Sequence, residues 1–470
     1  MWGTASRPML SPCIRLATSH HPVRASITAS RSMTSQPSTP PWLSSLLREN
    51  NPAPKLYAWT PAHLGLSTAL PSSPALSARP ADDADRRLYI LGLGNLGRMY
   101  ALYIRTRADP PPITLIVHRK ELLSQWHESK GIEIACRDQV HTCKDFDIEW
   151  WAEEKPPETG GAAPVREAAD GSTIRNLLVT TKAQAALPEV DRMRRYLDAQ
   201  STVAFAQNGM SKLWPPHGAS YMAARFPPDG AAGFHALLCV TNHGLYSTGP
   251  FRSVFASPAG AYLGPVVASG IASAPPSSAA YLTAQVVDTE TLAARAFSSL
   301  DVWVLQLEKL VVNTCINPLS AILRCKTGRL FASDSALRVM DLMLASSSRI
   351  LQAIVADSSS AAILASDLQA GRSVGALRAE LAARFAQPRL RAMLHRVGAL
   401  VQDNKSSMLQ DVEAGKATTE IGDFNGWLVD AAAYLGDDSI DVSVHEQVID
   451  LVERRVVMNE EQLAEHFLAT

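Results

Sequence analysis

Three polar side chains that could hold an oxygenated ligand follow one another at steps of four in the second half of the chain. They are Lys309, Asn313 and Asn317, within the string EKLVVNTCINP. Residues four apart share one face of a helix, so a helix here would align an ammonium group with two amides. An ammonium group can stabilise negative charge on a ketone oxygen, and neutral amides can orient a substrate. The same spacing also suits a solvated polar stripe, and spacing alone favours that simpler interpretation.

A glycine turn with the spacing of a phosphate-binding loop lies nearer the amino terminus. Gly92, Gly94 and Gly97 form GLGNLG, which also contains Asn95 and Leu96, directly after the apolar run LYIL. The first glycine allows a tight turn, the second allows a pyrophosphate to approach the backbone, and the third allows the helix to pack on the strand. The order of strand, turn, helix and second strand predicts a dinucleotide-binding site.

The end of the second predicted strand indicates which dinucleotide binds. The strand ITLIV is followed by His118, Arg119 and Lys120. A carboxylate here would bind the ribose hydroxyls of NAD, whereas cations suit the 2′-phosphate of NADP. We therefore predict NADPH as the cofactor, with Arg119 stacked beside the adenine or bound to the phosphate. A solvated basic strand end is the alternative.

The elements that must position these residues fall into two classes, which predict an α/β protein. Over 86–287, short apolar runs alternate with helical stretches, as expected for a Rossmann-type, doubly wound parallel sheet. Over 288–470, long Ala- and Leu-rich stretches have helical spacing, which predicts an all-helical domain. Pro318 should break or end the first of these helices at Asn317, because proline disfavours helical geometry in the residue before it. The Gly- and Pro-rich run 153–172 is expected to be a surface insertion.

The first 48 residues have the composition of a mitochondrial transit peptide. They contain five arginines and many Ser and Thr, but no Asp or Glu. Such a segment suits import, and a tail without an address is the alternative. We expect a mitochondrial protein, with a cytoplasmic form if translation starts at Met33. Residues 49–85, which are rich in Pro, Ser and Ala, are expected to be a linker.

The overall composition favours a small-molecule function. The 470 residues carry 44 Lys and Arg against 45 Asp and Glu, and the net charge of -1 gives no field that would attract nucleic acid or an anionic membrane. Polar residues interrupt the apolar stretches, so we expect no transmembrane segment. The six cysteines lack the spacing of metal ligands, and we expect no metal site. The oligomeric state is left open, with a homodimer as one option.

Five motifs, in order along the chain, resemble those of ketopantoate reductases (2-dehydropantoate 2-reductases). They are GLGNLG, VTTKAQ around Lys182, QNGM around Asn208, KLVVNTCINPLSAI, and NKSSMLQDVEAGKATTEIGDFNGWL, which contains Ser407 and Glu420. The resemblance runs from residue 86 to the carboxyl terminus, apart from insertions. Ordered motifs are more specific than any one of them alone.

The resemblance implies a role for each matched residue. Lys309 would be the catalytic lysine that protonates the carbonyl oxygen as hydride reaches the carbon, and Glu420 would be the acid that pairs with this lysine and with the substrate hydroxyl. Asn313 and Asn317 would hold the substrate, and Ser407 would contact its carboxylate.

Lys182 and Asn208 match family residues that line the cleft near the nicotinamide. Taken in isolation, four of the matched positions have ordinary structural explanations: a loop cation for Lys182, a turn residue for Asn208, a helix cap for Ser407 and a surface carboxylate for Glu420. The run between Ser407 and Glu420 is one residue longer than the family pattern. A loop would absorb the extra residue, whereas a helix would rotate.

These observations predict NADPH-dependent reduction of a 2-keto acid, bound in a cleft between the two domains. The first candidate is the reduction of ketopantoate to pantoate in pantothenate and coenzyme A biosynthesis. Another branched keto acid is an alternative, because fold and cofactor do not determine the substrate. The insertions motivate a second alternative, a mitochondrial binding or regulatory protein that retains the reductase fold. The intact set of Lys309, Asn313, Asn317 and Ser407 favours an enzyme.

Overall fold

The computed structural model describes residues 39–49, 51–66, 81–157, 164–227, 233–267, 275–368 and 372–469. The expected transit peptide up to residue 38, including Met33, lies outside the described residues. So does the part of the expected linker from 67 to 80.

Strands and helices alternate in the first part of the described chain, and helices alone follow. The strands are β1 (Tyr57–Trp59), β2 (Leu88–Leu91), β3 (Ile113–Val117), β4 (Ile132–Cys136), β5 (Gln139–Cys143), β6 (Asp147–Ala152), β7 (Arg166–Glu167), β8 (Asn176–Val179), β9 (Thr202–Phe205), β10 (His235–Thr241), β11 (Gly244–Gly249), β12 (Arg252–Ser257), β13 (Ala261–Pro265) and β14 (Ala294–Ala296). The helices are α1 (Pro41–Arg48), α2 (Ala81–Arg86), α3 (Asn95–Arg105), α4 (Glu121–Glu128), α5 (Ala183–Arg192), α6 (Gly218–Arg225), α7 (Ser277–Val287), α8 (Ser299–Leu323), α9 (Thr327–Phe331), α10 (Asp334–Ala356), α11 (Ala361–Ser366), α12 (Val374–Arg384), α13 (Gln387–Leu400), α14 (Ser407–Glu413), α15 (Ile421–Leu435), α16 (Ser443–Glu453) and α17 (Glu460–Leu468).

The main sheet has the strand order of a Rossmann fold. Its strands lie in the order β14-β13-β10-β9-β8-β2-β3-β6-β1-β7. The neighbours from β10 to β6 are all parallel. The order reverses between β2 and β8, and in such sheets ligands bind outside the carboxyl ends of the strands at this switch point. The predicted parallel sheet is therefore confirmed.

A second sheet, in the order β11-β12-β4-β5, packs against α3. Sequence reasoning missed it. Every residue of β5 and β11 is at least partly exposed, so neither strand forms the buried apolar run that identifies the strands of the main sheet.

The amino-terminal arm is more structured than its composition indicates. β1, which lies within the expected linker, pairs with β6. α1, which lies within the expected transit peptide, buries Leu43 and Leu46 and contacts α6. The expected insertion 153–172 contributes β7, which pairs with the other side of β1. These short elements are stabilised by the strands and helices that they contact. They can therefore form without a periodic hydrophobic pattern in their own sequence.

The helical half begins at α8, which contacts α10, α13, α14, α15 and α16. Residues 288–298, expected to be helical, include β14 at the edge of the main sheet, so the change in structure comes at residue 299. α10 is long and apolar enough to cross a membrane by length and composition, and 61% of the apolar window is buried inside the protein. Its contacts with α8, α12, α13 and α17 are those of a core helix.

Candidate active site

The predicted site residues of the first half all follow parallel strands at one edge of the main sheet. Gly92 follows β2, Arg119 follows β3, Lys182 follows β8 and Asn208 follows β9. Because these strands are parallel, their carboxyl ends share this edge, where ligands of open α/β sheets bind. The fold therefore gathers residues that are widely separated in the sequence.

The row of Lys309, Asn313 and Asn317 lies on α8, which continues through Pro318. The expected break at Asn317 was wrong. Proline cannot donate the helical hydrogen bond to the carbonyl of Thr314. The buried side chain of Asn425, on α15, donates to this carbonyl at 3.3 Å and takes the place of the missing donor. The helix therefore keeps all three polar residues on one face.

The ammonium group of Lys309 reaches the carboxyl edge of the sheet. Its Nζ donates a hydrogen bond to the backbone carbonyl of Thr241, the last residue of β10. Burial lowers the pKa of Lys309 to about 8, and the negative charge of Glu420 opposes this shift. An ammonium group with such a pKa is protonated at neutral pH and loses its proton more readily than an exposed lysine.

Ser407 meets Asn317 where α14 packs against α8. Nδ2 of Asn317 donates to Oγ of Ser407 at 3.3 Å. The neighbouring Ser406 caps α14, since its hydroxyl accepts a hydrogen bond from the backbone of Leu409. The capping role considered for Ser407 thus belongs to Ser406, and Ser407 is left to extend the polar row. Asn313, one turn before Asn317, is partly exposed.

Glu420 is a buried carboxylate at the amino end of α15. A loop over 414–420 joins α14 to α15, and a loop can take up an extra residue of spacing without rotating either helix. The Glu420 carboxylate lies 3.5 Å from Nζ of Lys182, and Lys182 also donates to Asp411 at 3.1 Å. Burial lowers the pKa of Lys182, but the negative charges of Glu420 and Asp411 together have the larger effect. The net result is a raised pKa. The direct partner of Glu420 is therefore Lys182, and its effect on Lys309 acts through charge.

The glycine loop has the open face that a dinucleotide needs. Gly92 has a φ of 94°, in the region that favours glycine. A Cβ on Gly97 would lie 2.1 Å from the carbonyl oxygen of Gly92, so only glycine allows this helix to pack. A Cβ on Gly94 would meet nothing within 4 Å, which leaves room at the amino terminus of α3. These three positions fit a pyrophosphate bound at that helix terminus.

Arg98, which sequence reasoning did not single out, ties the glycine loop to the second sheet. Its guanidinium donates to the carbonyl of Leu93 at 3.0 Å and to that of Arg252 at 2.7 Å. Oδ1 of Asn95 accepts a hydrogen bond from the hydroxyl of Ser253 at 2.8 Å. Burial lowers the pKa of Arg98 to about 10. The second sheet therefore supports the loop in which Leu96 also lies.

The two cations after β3 differ in their surroundings. Arg119 is exposed and accessible to a phosphate. Nζ of Lys120 lies 3.8 Å from the centre of the Trp59 ring, on β1. The end of β3 is thus followed by the exposed guanidinium of Arg119 and by the ammonium group of Lys120, which lies over the indole of Trp59.

Gln306, a second residue that sequence reasoning missed, joins the row on α8 to the loop of Asn208. Its Nε2 donates to the carbonyl of Gly209 at 2.5 Å, and its Oε1 accepts from Nε1 of Trp214 at 2.5 Å. Gln306 is buried and lies three residues before Lys309. In the sequence it looks like any polar residue of a helix, because its partners lie about 100 residues away.

A cavity of about 540 Å³ lies near this site but belongs to a different surface. Its walls include Trp42 of α1, Lys212 of the loop after β9, and Asp423 of α15. Neither Lys309 nor Glu420 lines it. The chemistry is therefore assigned to the polar row and not to this cavity.

The fold and the site together define an oxidoreductase with a dinucleotide-type glycine loop and a lysine-bearing helix. Two family models match the chain: "Ketopantoate reductase PanE/ApbA" over 88–267, and "Ketopantoate reductase PanE/ApbA C terminal" over 301–456. The chain belongs to the ketopantoate reductase family, which confirms the resemblance.

Relatives of known name are similar over most of the chain. A ketoisovalerate reductase of Beauveria bassiana is 43% identical, over 92% of this chain and 99% of the relative. A ketoisovalerate reductase of Gibberella fujikuroi is 42% identical, over 88% and 96%. A probable 2-dehydropantoate 2-reductase of Schizosaccharomyces pombe is 28% identical, over 53% and 67%. The family and these relatives identify the chain as a keto acid reductase.

Solved structures share the fold. A probable 2-dehydropantoate 2-reductase of Bacillus subtilis superposes with a TM-score of 0.52 at 18% identity, covering 78% of this chain and 99% of that structure. D-mandelate dehydrogenase with NADH and anilino(oxo)acetate gives a TM-score of 0.52 at 15% identity, covering 80% and 99%. These likenesses confirm the predicted Rossmann-type sheet followed by a helical region.

Proposed function

We propose that the chain reduces a branched 2-keto acid to its 2-hydroxy acid with NADPH, and that 2-ketoisovalerate is its principal substrate. The observation that carries the reaction is the shared face of α8 that holds Lys309, Asn313 and Asn317, with Nζ of Lys309 at the carboxyl edge of the sheet. The names of the two relatives that are 43% and 42% identical support the substrate. Ketopantoate, in a pathway to pantothenate, is the second candidate, supported by the family and by the Schizosaccharomyces pombe relative.

The loop of Gly92, Gly94 and Gly97 would hold the pyrophosphate of NADPH, and the bound cofactor would supply the hydride. Lys309 donates its proton to the keto oxygen as negative charge develops there. The amides of Asn313 and Asn317 orient the keto acid, and the hydroxyl of Ser407 binds its carboxylate. Water must then return a proton to Lys309 before the next turnover.

Glu420 adjusts the proton affinity of Lys309. Its charge raises the pKa of the lysine against the effect of burial. Without this charge, the pKa of Lys309 would be lower, and fewer molecules would carry the proton at neutral pH. Lys182 holds the Glu420 carboxylate at 3.5 Å, which keeps this negative charge within the cleft.

The choice of NADPH over NADH is supported by the cations after β3. Arg119 is exposed at the strand end where an acid would bind the ribose hydroxyls of NAD. Comparing NADPH and NADH as cosubstrates, at saturating keto acid, tests this part of the proposal. A higher kcat/KM with NADH would contradict it.

The substrate is tested by comparing kcat/KM for 2-ketoisovalerate and ketopantoate with NADPH. The two acids share the keto acid group, and ketopantoate carries an additional hydroxymethyl group. One extra carbon group in a substrate changes kcat/KM by about tenfold to a hundredfold when the site is shaped for the smaller acid, so we expect a preference of this size for 2-ketoisovalerate. The reverse preference would assign ketopantoate as the substrate.

Import into mitochondria is also proposed, on the basis of the arginine-rich, acid-free amino terminus. The packing of α1 supports processing before Pro41, since removal of α1 would expose the surface that Leu43 and Leu46 cover. Fluorescence microscopy of a full-length fusion, beside one that begins at Met33, tests the address. Cytoplasmic fluorescence of the full-length fusion would contradict it.

A further inference from the structure

The amino-terminal arm reaches the strand end at which the cofactor phosphate is expected. β1 pairs with β6, and Trp59 lies opposite Trp150. Trp150 in turn lies beside Val117, the last residue of β3. Trp59 therefore occupies the same row across the sheet as the end of β3, directly before the basic residues that follow that strand.

Trp59 is a fixed platform for Lys120. Its indole is 2% exposed, and its Nε1 donates to the carbonyl of Glu154 at 2.8 Å. Nζ of Lys120 lies 3.8 Å from the ring centre, within the range in which the face of an indole attracts a cation. Lysine otherwise carries its charge on a flexible stem with large rotamer entropy. The contact therefore holds the ammonium group at one position beside Arg119.

A second cation at this position has an electrostatic purpose. A phosphate monoester carries a charge of about -1.5 to -2 at pH 7, which a single guanidinium does not neutralise. Lys120 is only partly buried, and it directly follows the exposed Arg119. Arg119 and Lys120 also immediately precede α4, whose amino terminus favours an anion.

We propose that the arm is part of the cofactor-selectivity site: Trp59 positions Lys120 so that Lys120 and Arg119 together bind the 2′-phosphate of NADPH. This inference rests on the proposed function, because it requires NADPH as the cofactor. It assigns Trp59 as a positioning residue and Lys120 as a specificity-determining residue. It also explains why β1 is joined to the edge of a sheet whose parallel core is complete without it.

The test uses adenosine 2′,5′-bisphosphate and 5′-AMP, which differ in the 2′-phosphate and require no keto acid. Binding to the full chain is measured by calorimetry. A charge-assisted hydrogen bond is worth about 1.5 to 3 kcal/mol, so Lys120→Met should weaken binding of the bisphosphate about tenfold or more and leave 5′-AMP unchanged. Trp59→Leu should weaken the bisphosphate by a smaller factor, about threefold, because Lys120 remains but is no longer held.

The chain offers a matched control on the same strand. Nζ of Lys155 lies 5.3 Å from the ring centre of Tyr57, two residues before Trp59 on β1. Lys155→Met removes a cation from an aromatic ring of β1 and should leave both ligands unchanged. Trp59→Phe keeps an aromatic face and should retain most of the binding of the bisphosphate.

Two outcomes would overturn the inference: unchanged binding of the bisphosphate by Lys120→Met, or equal weakening of both ligands. If Trp59→Leu fails to fold, Lys120→Met and Trp59→Phe decide the question. Cofactor binding by the unmodified chain separates this inference from the proposed function. Equal affinity for NADPH and NADH would refute the choice of NADPH, whereas a preference that survives Lys120→Met would refute only the role of the arm.

Discussion

The carboxylate of Glu420 lies 3.5 Å from the ammonium group of Lys182, across the boundary between the sheet and the helices. Lys182 follows β8, whereas Glu420 precedes α15. The second acid that Lys182 contacts, Asp411, lies on α14. One lysine of the nucleotide-binding half thus holds two acids of the helical half. The acid whose charge raises the pKa of Lys309 is therefore held by a lysine that follows a strand of the main sheet.

The kcat/KM for keto acid reduction should fall as the pH rises above about 8. Lys309 must carry a proton, and burial lowers its pKa to about 8, so the active form is populated below this pH and lost above it. In Glu420→Gln the falling limb should move to lower pH, because the Glu420 charge raises this pKa. Glu413→Gln, which removes an exposed acid paired with Lys405, is the control and should leave the limb in place. A limb that does not move in Glu420→Gln would contradict the coupling.

Asn425→Leu should lower the stability of the protein and raise KM for the keto acid. It removes the donor to the Thr314 carbonyl, and a buried polar group left unpaired costs about 1 to 3 kcal/mol. The second variant is Asn425→Leu with Pro318→Ala, in which alanine restores a backbone donor for the same carbonyl. Urea unfolding should show partial recovery in the double variant. Equal stability of the single and double variants would refute the pairing.

Two glycine variants should separate folding from cofactor binding. Gly97→Ala places a Cβ 2.1 Å from the carbonyl oxygen of Gly92, so its melting temperature should fall. Gly94→Ala meets nothing within 4 Å, so the free protein should melt normally, but its binding of NADPH should weaken because the methyl group occupies the space left for the pyrophosphate. Full-strength binding by Gly94→Ala would show that the pyrophosphate lies elsewhere.

The packing of α1 should contribute to the stability of the protein. A chain that begins at residue 39 keeps α1 and serves as the reference. One that begins at residue 50 loses the buried Leu43 and Leu46 and the hydrogen bond from Trp42 to Asp430, of 3.1 Å. Leu46→Ala alone should cost about 2 to 5 kcal/mol. Equal melting temperatures of the two truncated chains would show that α1 contributes nothing to stability.

The parts of the site that were predictable from the sequence are those with a local pattern. The spacing of Lys309, Asn313 and Asn317 predicted their shared face, and the glycine spacing predicted the loop after β2. Asn425 was not predictable as a support of α8, because it lies 111 residues from Thr314 and only the fold brings them together. Pro318 by itself predicted a broken helix, because the sequence does not show that Asn425 replaces the missing hydrogen-bond donor.

The arm shows the same limit on a larger scale. Trp59 lies in a strand of three residues, too short for an alternating pattern, and its position is fixed by pairing with β6. The composition of residues 49–85 predicted a linker because composition reflects local propensity. It does not show that a strand of the main sheet is available for pairing. The contact between Trp59 and Lys120 joins two segments that no motif connects.

The most direct test of the account is NADPH oxidation by the chain that begins at residue 39, with 2-ketoisovalerate and with ketopantoate, beside Lys309→Met. We expect turnover of a branched 2-keto acid that Lys309→Met lowers by about 10² to 10⁴, with binding of NADPH retained, because only the proton donor is lost. Unchanged turnover by Lys309→Met, or binding of NADPH without reduction of either acid, would contradict the account.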